Sequence, residues 1–308
     1  MLWLLLTLGA ILLLSYSCYW VTFYNPVCRH MEPVEHSKSP QHRQYLNRLN
    51  ELSGKLEQIP CEQVRITAHD GITLAARYYH LRDGAPLVIQ FHGYRGSGIR
   101  DFCGGCTLAM ELGYNVLLVD QRAHGCSGGN TMSFGILERY DCKKWVEYAV
   151  KRLGNDVKII LYGISMGAST VLMALSLKLP GQVAGVIADS PFSSPGAIIR
   201  KVCRDIRLPH RIIYPFVALG AMIFGRFRIW EMDSEKAVKK TKTPILLIHG
   251  GDDRFVPNQM SHRIADAAEQ ARVEIFPGAG HALSFASDEV RYRNLLKDFV
   301  GFCTEMDN

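Results

Sequence analysis

Apolar positions fall along this chain in several distinct patterns, each predicting a different kind of element. Residues 2–24 carry no charge, and about 23 such positions are enough for a helix to cross a hydrocarbon core of about 30 Å. Trp3, Tyr16, Tyr19, Trp20 and Tyr24 cluster toward the ends of the run, as interfacial aromatics do. A cleaved signal peptide would want a basic start and a small-x-small cleavage site, yet no Lys or Arg precedes the run. The expectation is an uncleaved transmembrane helix over residues 1–25. Arg29, Lys38, Arg43 and Arg48 follow it, which by the positive-inside tendency keeps the body on the cytoplasmic side. Residues 26–60 then read as a linker and an amphipathic helix. Ser39 can cap and Pro40 suits the first turn, and Leu46, Leu49, Leu52 and Leu56 recur at helical spacing.

Residues 64–79 alternate as a hairpin around His69-Asp70-Gly71, a turn of the Asp-Gly type. Beyond it alternation gives way to continuous apolar runs at 86–91, 115–120, 157–162, 183–188, 244–248 and 273–276, with helical stretches between them. Runs without alternation are strands buried on both faces, and intervening helices imply parallel order with right-handed crossovers. The pattern predicts an α/β domain over residues 61–308, its mostly parallel sheet opened by an antiparallel hairpin. Ligands of such sheets bind beyond the carboxyl ends of the strands.

Composition narrows the class. A chain of 308 residues with 48% hydrophobic and 21% charged positions can bury one full core and is not a disordered polymer. Nine cysteines, scattered from Cys18 to Cys303, read as buried or free thiols of a reducing compartment more easily than as a disulfide framework. The net charge is +6, but no basic tract interleaved with aromatics forms a nucleic-acid platform, so nucleic acid is not an expected partner. Lys236, Lys239, Lys240 and Lys242 read as a solvated helix end before the next strand.

Two Gly-x-Ser-x-Gly patterns compete for the role of nucleophile: Gly163-Ile164-Ser165-Met166-Gly167 and Gly125-Cys126-Ser127-Gly128-Gly129. Chance alone yields roughly 0.14 such patterns in a chain of this composition, so context decides. A nucleophile elbow needs a strand running straight into a sharp turn with a helix leaving it, and small residues two positions either side of the serine. Ser165 has the strand before it, a helix rich in Ala, Leu and Met after it, and Gly163 and Gly167 around it. Ser127 comes several residues after its strand ends, and Gly128-Gly129-Asn130 cannot start a stable helix.

A serine hydroxyl is a weak nucleophile at neutral pH, so a histidine must take its proton and a carboxylate must fix that imidazole's tautomer. His281 follows the last strand in "FPGAGHALSF", a loop at the strand ends. His92, His124 and His249 read instead as loop-ordering hydrogen bonders. For the acid, Asp252 and Asp253 lie in the loop after the strand at 244–248, and Asp189 after the strand at 183–188 competes. His249-Gly250-x-x-Asp253-x-x-Val256-Pro257 resembles the His-Gly-x-x-Asp-x-x-Val-Pro signature of alpha/beta-hydrolase superfamily serine hydrolases. That resemblance implies Asp253 as the acid, the alpha/beta-hydrolase fold, and no metal or cofactor.

His92-Gly93-Tyr94-Arg95-Gly96-Ser97 resembles the family's oxyanion loop. Backbone N–H groups of Tyr94 and Met166 would then converge on a developing oxyanion, worth roughly 3 to 4 kcal/mol per donor. The stretch "DQRAHGCSGG" resembles another loop of the family, with Ala123 in place of its usual Gly. Within the superfamily the chain looks most like bacterial membrane-anchored hydrolases related to prolyl-oligopeptidase-like and serine-aminopeptidase-like members. Cys103-Gly104-Gly105-Cys106 lacks the second CxxC or the redox setting that would give it chemistry, and Glu138, Asp141 and Trp145 read as supports of the loop before them.

A helical cap is expected at about 195–232. Arg200, Lys201, Arg204, Arg207, Arg211, Arg226 and Arg228 outnumber Asp205 and Glu231 there. An exopeptidase would want carboxylates for a protonated amine, so a carboxylic ester hydrolase is the first expectation. A serine peptidase is the second and a catalytically silent binding module the third. Residues 212–225 are too short to span a bilayer and read as a cap helix interrupted at Pro215. A basic, apolar cap suits a surface facing anionic lipid.

Overall fold

The computed structural model describes residues 1–26 and 39–305. Arg29, Lys38 and most of the expected linker lie outside the described residues. Eight strands, β1 (Glu62–Thr67), β2 (Thr73–Tyr79), β3 (Leu87–Phe91), β4 (Asn115–Asp120), β5 (Ile159–Ile164), β6 (Val183–Asp189), β7 (Ile245–Gly250) and β8 (Ala271–Phe276), form one sheet in the order β1-β2-β4-β3-β5-β6-β7-β8. β1 and β2 pair antiparallel through a turn at Asp70-Gly71, where Gly71 takes φ 85°. β2 pairs antiparallel with β4, and every later pairing is parallel. The order reverses at β3, whose neighbours are β4 on one side and β5 on the other. The loops leaving β3 and β5 therefore part to opposite faces and open a crevice between them.

Both faces of the sheet are covered, which is why its strands read as continuous apolar runs. On one face helices Glu138–Leu153, Met166–Ala174 and Gln259–Ala265 bury Trp145, Val171, Leu172 and Ile264 against the strands. On the other, helices Leu46–Gln58, Cys103–Glu111 and Glu289–Glu305 bury Leu56, Cys106, Tyr292 and Leu296. β5 is buried at all six positions, and each of its large aliphatic side chains contributes roughly 1.5 to 3 kcal/mol.

Three local expectations need correction. The helix starting at Ser39 is two helices, Pro40–Arg43 and Leu46–Gln58. The Ser39 hydroxyl caps the first by accepting from His42 N–H, and the leucine stripe that packs on the domain begins only in the second. β5 continues two residues beyond Tyr162, so the strand runs directly into Ser165. The cap comprises helices Pro195–Asp205 and His210–Ile223, and the second is continuous through Pro215. Proline there forfeits only the bond to the Arg211 carbonyl, while burial of Val217, Ala218 and Ala221 holds the turns that follow.

Helix Leu2–Thr22 is long and apolar enough to cross a membrane, a test of length and composition that a secretory signal also passes. Its first part is exposed, but Ser15, Tyr19 and the following Phe23 are buried against the cap. Close approach is possible because Gly220 has no side chain: a Cβ there would lie 2.3 Å from the Ser15 carbonyl oxygen. Phe23 meets Phe227 edge-on at 5.1 Å. Backbone bonds from Met132 N–H to Phe23 O (2.8 Å) and from Asn25 N–H to Asn130 O (2.9 Å) tie the end of the helix to the loop after β4.

Candidate active site

Ser165 sits between β5 and helix Met166–Ala174 with φ 54° and ψ −113°. L-residues rarely adopt this conformation, and here the surrounding strand and helix impose it. The turn is so tight that a Cβ on Gly163 would lie 2.2 Å from Gly167 O, and one on Gly167 would lie 1.8 Å from Phe91 O. Glycine at both positions is a requirement of backbone meeting backbone. The serine N–H donates to Asp189 O at 2.8 Å, pinning the elbow to β6.

His281 follows β8 and Asp253 follows β7. His281 Nε2 lies 2.9 Å from Ser165 Oγ and its Nδ1 lies 2.7 Å from Asp253 Oδ2. The carboxylate accepts only, so Nδ1 carries the proton and Nε2 is left to accept from the serine hydroxyl. Asp253 Oδ1 accepts the N–H groups of Phe255 (2.9 Å) and Val256 (2.8 Å). Burial alone would raise the Asp253 carboxyl, but His281 and His249 beside it hold it well below the usual carboxylate range.

Asp189 occupies a different place. Buried beneath the elbow, its carboxylate accepts from the hydroxyls of Ser190 and Tyr292, both at 2.9 Å, and Tyr292 bonds in turn to Tyr162. It makes no bond to His281, and burial pushes its carboxyl upward. Asp252 lies outside the imidazole's reach of hydrogen bonds, its N–H donating to Ala279 O at 2.9 Å. Ser127 is fully buried, its hydroxyl donating to Asp120 O at 2.5 Å and accepting from Ala75 N–H at 2.8 Å. That serine locks a glycine-rich loop onto the sheet.

Tyr94 and Met166 both line the space beside Ser165. Among the described residues neither backbone N–H has a protein acceptor. Met166 opens a helix, so its N–H also carries the positive end of the helix dipole. The loop at residues 92–97 passes close to the elbow: a Cβ on Gly93 would lie 3.2 Å from Asp101 Oδ2 and in contact with the Ser165 Cβ at 3.4 Å. The loop is held from below by histidines. His92 Nε2 accepts from Gln121 N–H and His124 Nε2 accepts from Arg95 N–H, both at 3.1 Å. Burial drives both rings toward the neutral form, His124 down to about 3. Neutral rings can accept those bonds.

Sequence patterns did not reveal several supports. Asp101 Oδ2 accepts from Gly93 N–H at 2.7 Å while Oδ1 takes Arg100 Nε at 2.7 Å, a link made through space that no motif marks. His249 also does more than order its loop: its Nε2 donates to Val256 O at 2.9 Å and lies 3.2 Å from Asp253 Oδ2. Its place four residues before Asp253 was a visible signal. Arg122 is clamped by Asp141, with both bonds at 2.6 Å, and by Asp70 at 2.9 Å, so Asp141 does support the loop after β4. Glu138 instead ties down Ser133 and Gly135, and Trp145 packs in the core with its indole N–H unpartnered. Ala123 takes φ 60° where glycine would be unstrained, a cost of roughly 1 kcal/mol. Cys103 and Cys106 are free, buried thiols, and burial raises both, Cys103 to about 11. No group of metal-ligating side chains occurs among the described residues.

Two cavities meet at this serine, sharing Tyr94, Ser165 and Phe255. One, of about 580 Å³, contains Gln41, Arg100, Asp101, Arg254 and the edge of His281. The other, of about 530 Å³, is lined mostly by apolar side chains, drawn from the cap, from the N-terminal helix and from the loops around Ser165, among them Phe134, Phe192 and Phe255.

Comparison with known proteins agrees with the topology. The chain is 29% identical to YqkD, an uncharacterized protein of Bacillus subtilis, over 195 residues, covering 63% of this chain and 64% of that one, so it spans just under two thirds of that relative. It is 28% identical to the uncharacterized protein Rv2307c of Mycobacterium tuberculosis over 71% of each chain. Among solved structures it resembles the esterase Pf2001 of Pyrococcus furiosus, with a TM-score of 0.63 and 23% identity over 80% of this chain and 94% of that one. None of these likenesses reproduces the expected peptidase-like kinship. Residues 88–292, more than half of the chain, match the model of the alpha/beta hydrolase family, and the chain belongs to that family.

Proposed function

We propose that this protein is a membrane-anchored serine hydrolase that cleaves carboxylic esters through an acyl-enzyme at Ser165. The observation carrying this reading is the unbroken hydrogen-bonded relay from Ser165 through His281 to Asp253 at the carboxyl ends of the sheet. His281 Nε2 takes the hydroxyl proton as Ser165 Oγ attacks the ester carbonyl carbon. The carbonyl oxygen, now negative, is received by the N–H groups of Tyr94 and Met166. Collapse breaks the bond to the alcohol, which leaves with the proton from His281. Water then enters, gives its proton to the same nitrogen, and releases the acid in a second tetrahedral step. Asp253 stays ionised throughout, holding the ring in one tautomer. An ester is favoured over an N-terminal peptide because the two cap carboxylates are already engaged, Asp205 by Lys201 and Glu231 by Arg139.

The test is fluorophosphonate labelling of the full chain in fractionated cells. Wild-type protein should label at full-length mass in the membrane fraction and turn over p-nitrophenyl acetate. Ser165→Ala should do neither, and Ser127→Ala should still label. Labelling that persists in Ser165→Ala refutes the nucleophile. A shorter, soluble labelled species refutes the anchor. An unlabelled, inactive wild type would mark a silent binding module.

A further inference from the structure

We infer that the N-terminal helix is itself part of the substrate site: its last turns form one wall of an acyl pocket, and the preferred substrates are long-chain acyl esters drawn from the apolar phase in which that helix sits. The inference rests on Ser165 being the nucleophile. The apolar cavity of about 530 Å³ begins at Ser165 and Met166 and runs between the cap and the helix. Ile198, Val202 and Val217 of the cap line it on one side, and Cys18, Val21 and Thr22 of the N-terminal helix on the other. Positions 18, 21 and 22 share one helical face, whereas Ser15 and Tyr19 face the cap helix. The two sets adjoin, Cys18 standing three residues after Ser15 and Thr22 three after Tyr19, so the turns that dock on the cap also line the cavity.

The same helix is joined to the oxyanion loop. The Tyr94 hydroxyl donates to Thr22 O at 2.9 Å, and the Arg95 guanidinium donates to Val21 O at 2.9 Å and Tyr24 O at 3.3 Å. The Val21 and Thr22 carbonyls end the helix and have no partner within it, and Tyr24 follows just beyond its last turn, so the end of the helix and the loop that would hold the oxyanion are fixed together.

Length points to where the cavity opens. Residues 2–14 span about 20 Å at 1.5 Å per residue, short of a hydrocarbon core of about 30 Å. The docked turns beyond them are therefore needed to complete a crossing, which brings the cap down to the apolar layer. The cap is built for that position. Ile206 and Leu208 line the cavity and are 61% and 42% exposed, and Ile212 beside them is 62% exposed. Arg204, Arg207 and Arg211 stand exposed among them, a mixture of cations and large apolar groups suited to a lipid interface. A fatty chain entering there reaches Ser165 without crossing water, while its alcohol portion falls toward the cavity containing Arg100 and Arg254.

The experiment uses the full chain in nanodiscs and the ratio of kcat/KM for p-nitrophenyl decanoate to that for p-nitrophenyl acetate. In wild type the decanoate should be preferred. Val21→Trp and Val202→Trp fill the cavity from its two walls, and each should lower the ratio by about tenfold or more, the worth of roughly two buried methylenes. Leu8→Trp, on the same helix but outside the cavity, should leave it unchanged. Fluorophosphonate labelling reports that each variant retains a folded site. A wild type indifferent to chain length overturns the inference. So does an unchanged ratio in either filling variant that still labels. Persistence of labelling in Ser165→Ala would instead remove the nucleophile on which the pocket depends.

Discussion

In Asp253→Asn the proton on His281 is expected to move to the wrong nitrogen. Oδ1 is held by two backbone donors, Phe255 N–H at 2.9 Å and Val256 N–H at 2.8 Å, so the amide oxygen must take that side. The NH2 group then replaces Oδ2, facing His281 Nδ1 at 2.7 Å and His249 Nε2 at 3.2 Å. Both nitrogens carry protons in the native arrangement, since each faces an oxygen that only accepts. His281 relieves the clash of donors by shifting its proton to Nε2, which points at Ser165 Oγ from 2.9 Å and can no longer accept. The fold is retained and general-base catalysis is lost, an effect of about 10⁴ in kcat, or about 5.5 kcal/mol of barrier. Initial rates with p-nitrophenyl acetate measure it, with thermal melting to show that the variant is folded. Asp189→Asn is the comparison: Ser190 and Tyr292 contact that carboxylate through hydroxyls, which can reverse their donor roles, and turnover should stay within about tenfold of wild type. Near-native turnover in Asp253→Asn, with a loss of several orders of magnitude in Asp189→Asn, would refute the assignment.

Two further substitutions probe the frame. Arg122→Leu strips the counterion from buried Asp141, and breaking such a pair should cost roughly 3 to 5 kcal/mol, read as a fall in Tm. Burial raises the orphaned carboxyl above its unfolded value, so the variant binds a proton more readily folded than unfolded. Its deficit should be smallest in acid and grow as pH rises, and a deficit independent of pH would contradict the assignment. Gly167→Ala drives a Cβ into the Phe91 carbonyl and should destabilise by more than the roughly 3 kcal/mol of ordinary overpacking. By contrast, Gly54→Ala, in an open helical position, should raise stability by about 0.5 to 1 kcal/mol. Equal melting temperatures for the two glycine variants would refute the packing argument at the elbow.

How much of this was legible in the chain depends on whether an interaction is local in sequence. The parallel sheet was readable because strands buried on both faces carry few polar positions: β4 and β6 are apolar between their end residues, and β3 and β7 depart from this with Gln90, which donates to Gly105 O, and His249 near the carboxyl end. The two serines separated on a local criterion, the distance from strand end to serine. Helix boundaries were less readable, because tertiary packing overrides them. Pro215 continues a helix that its own chemistry disfavours, since the turns that follow it are buried through Val217, Ala218 and Ala221. The Asp101 bond to Gly93 and the Tyr162–Tyr292–Asp189 chain join residues from separate elements, and no periodicity records such meetings. Least legible was the role of residues 2–24. Hydropathy marks an apolar helix, but a stripe of Cys18, Val21 and Thr22 looks the same whether it meets lipid or a cavity.

The joint between that helix and the domain has a mechanical meaning. Phe23, Tyr24 and Asn25 lie as an extra short edge against residues 130–132, and the Asn25 side chain reaches Ala123 O at 2.5 Å. A membrane helix usually answers a thicker or thinner bilayer by changing its tilt. Under the proposed anchoring, helix Leu2–Thr22 would have no swivel at its end. In a bilayer, any change of tilt would be passed to the whole sheet, lifting or lowering the exposed Ile206 and Leu208 against the lipid surface. Bilayer thickness would then set how far the catalytic crevice stands from the lipid, and the stitched joint would act as a lever.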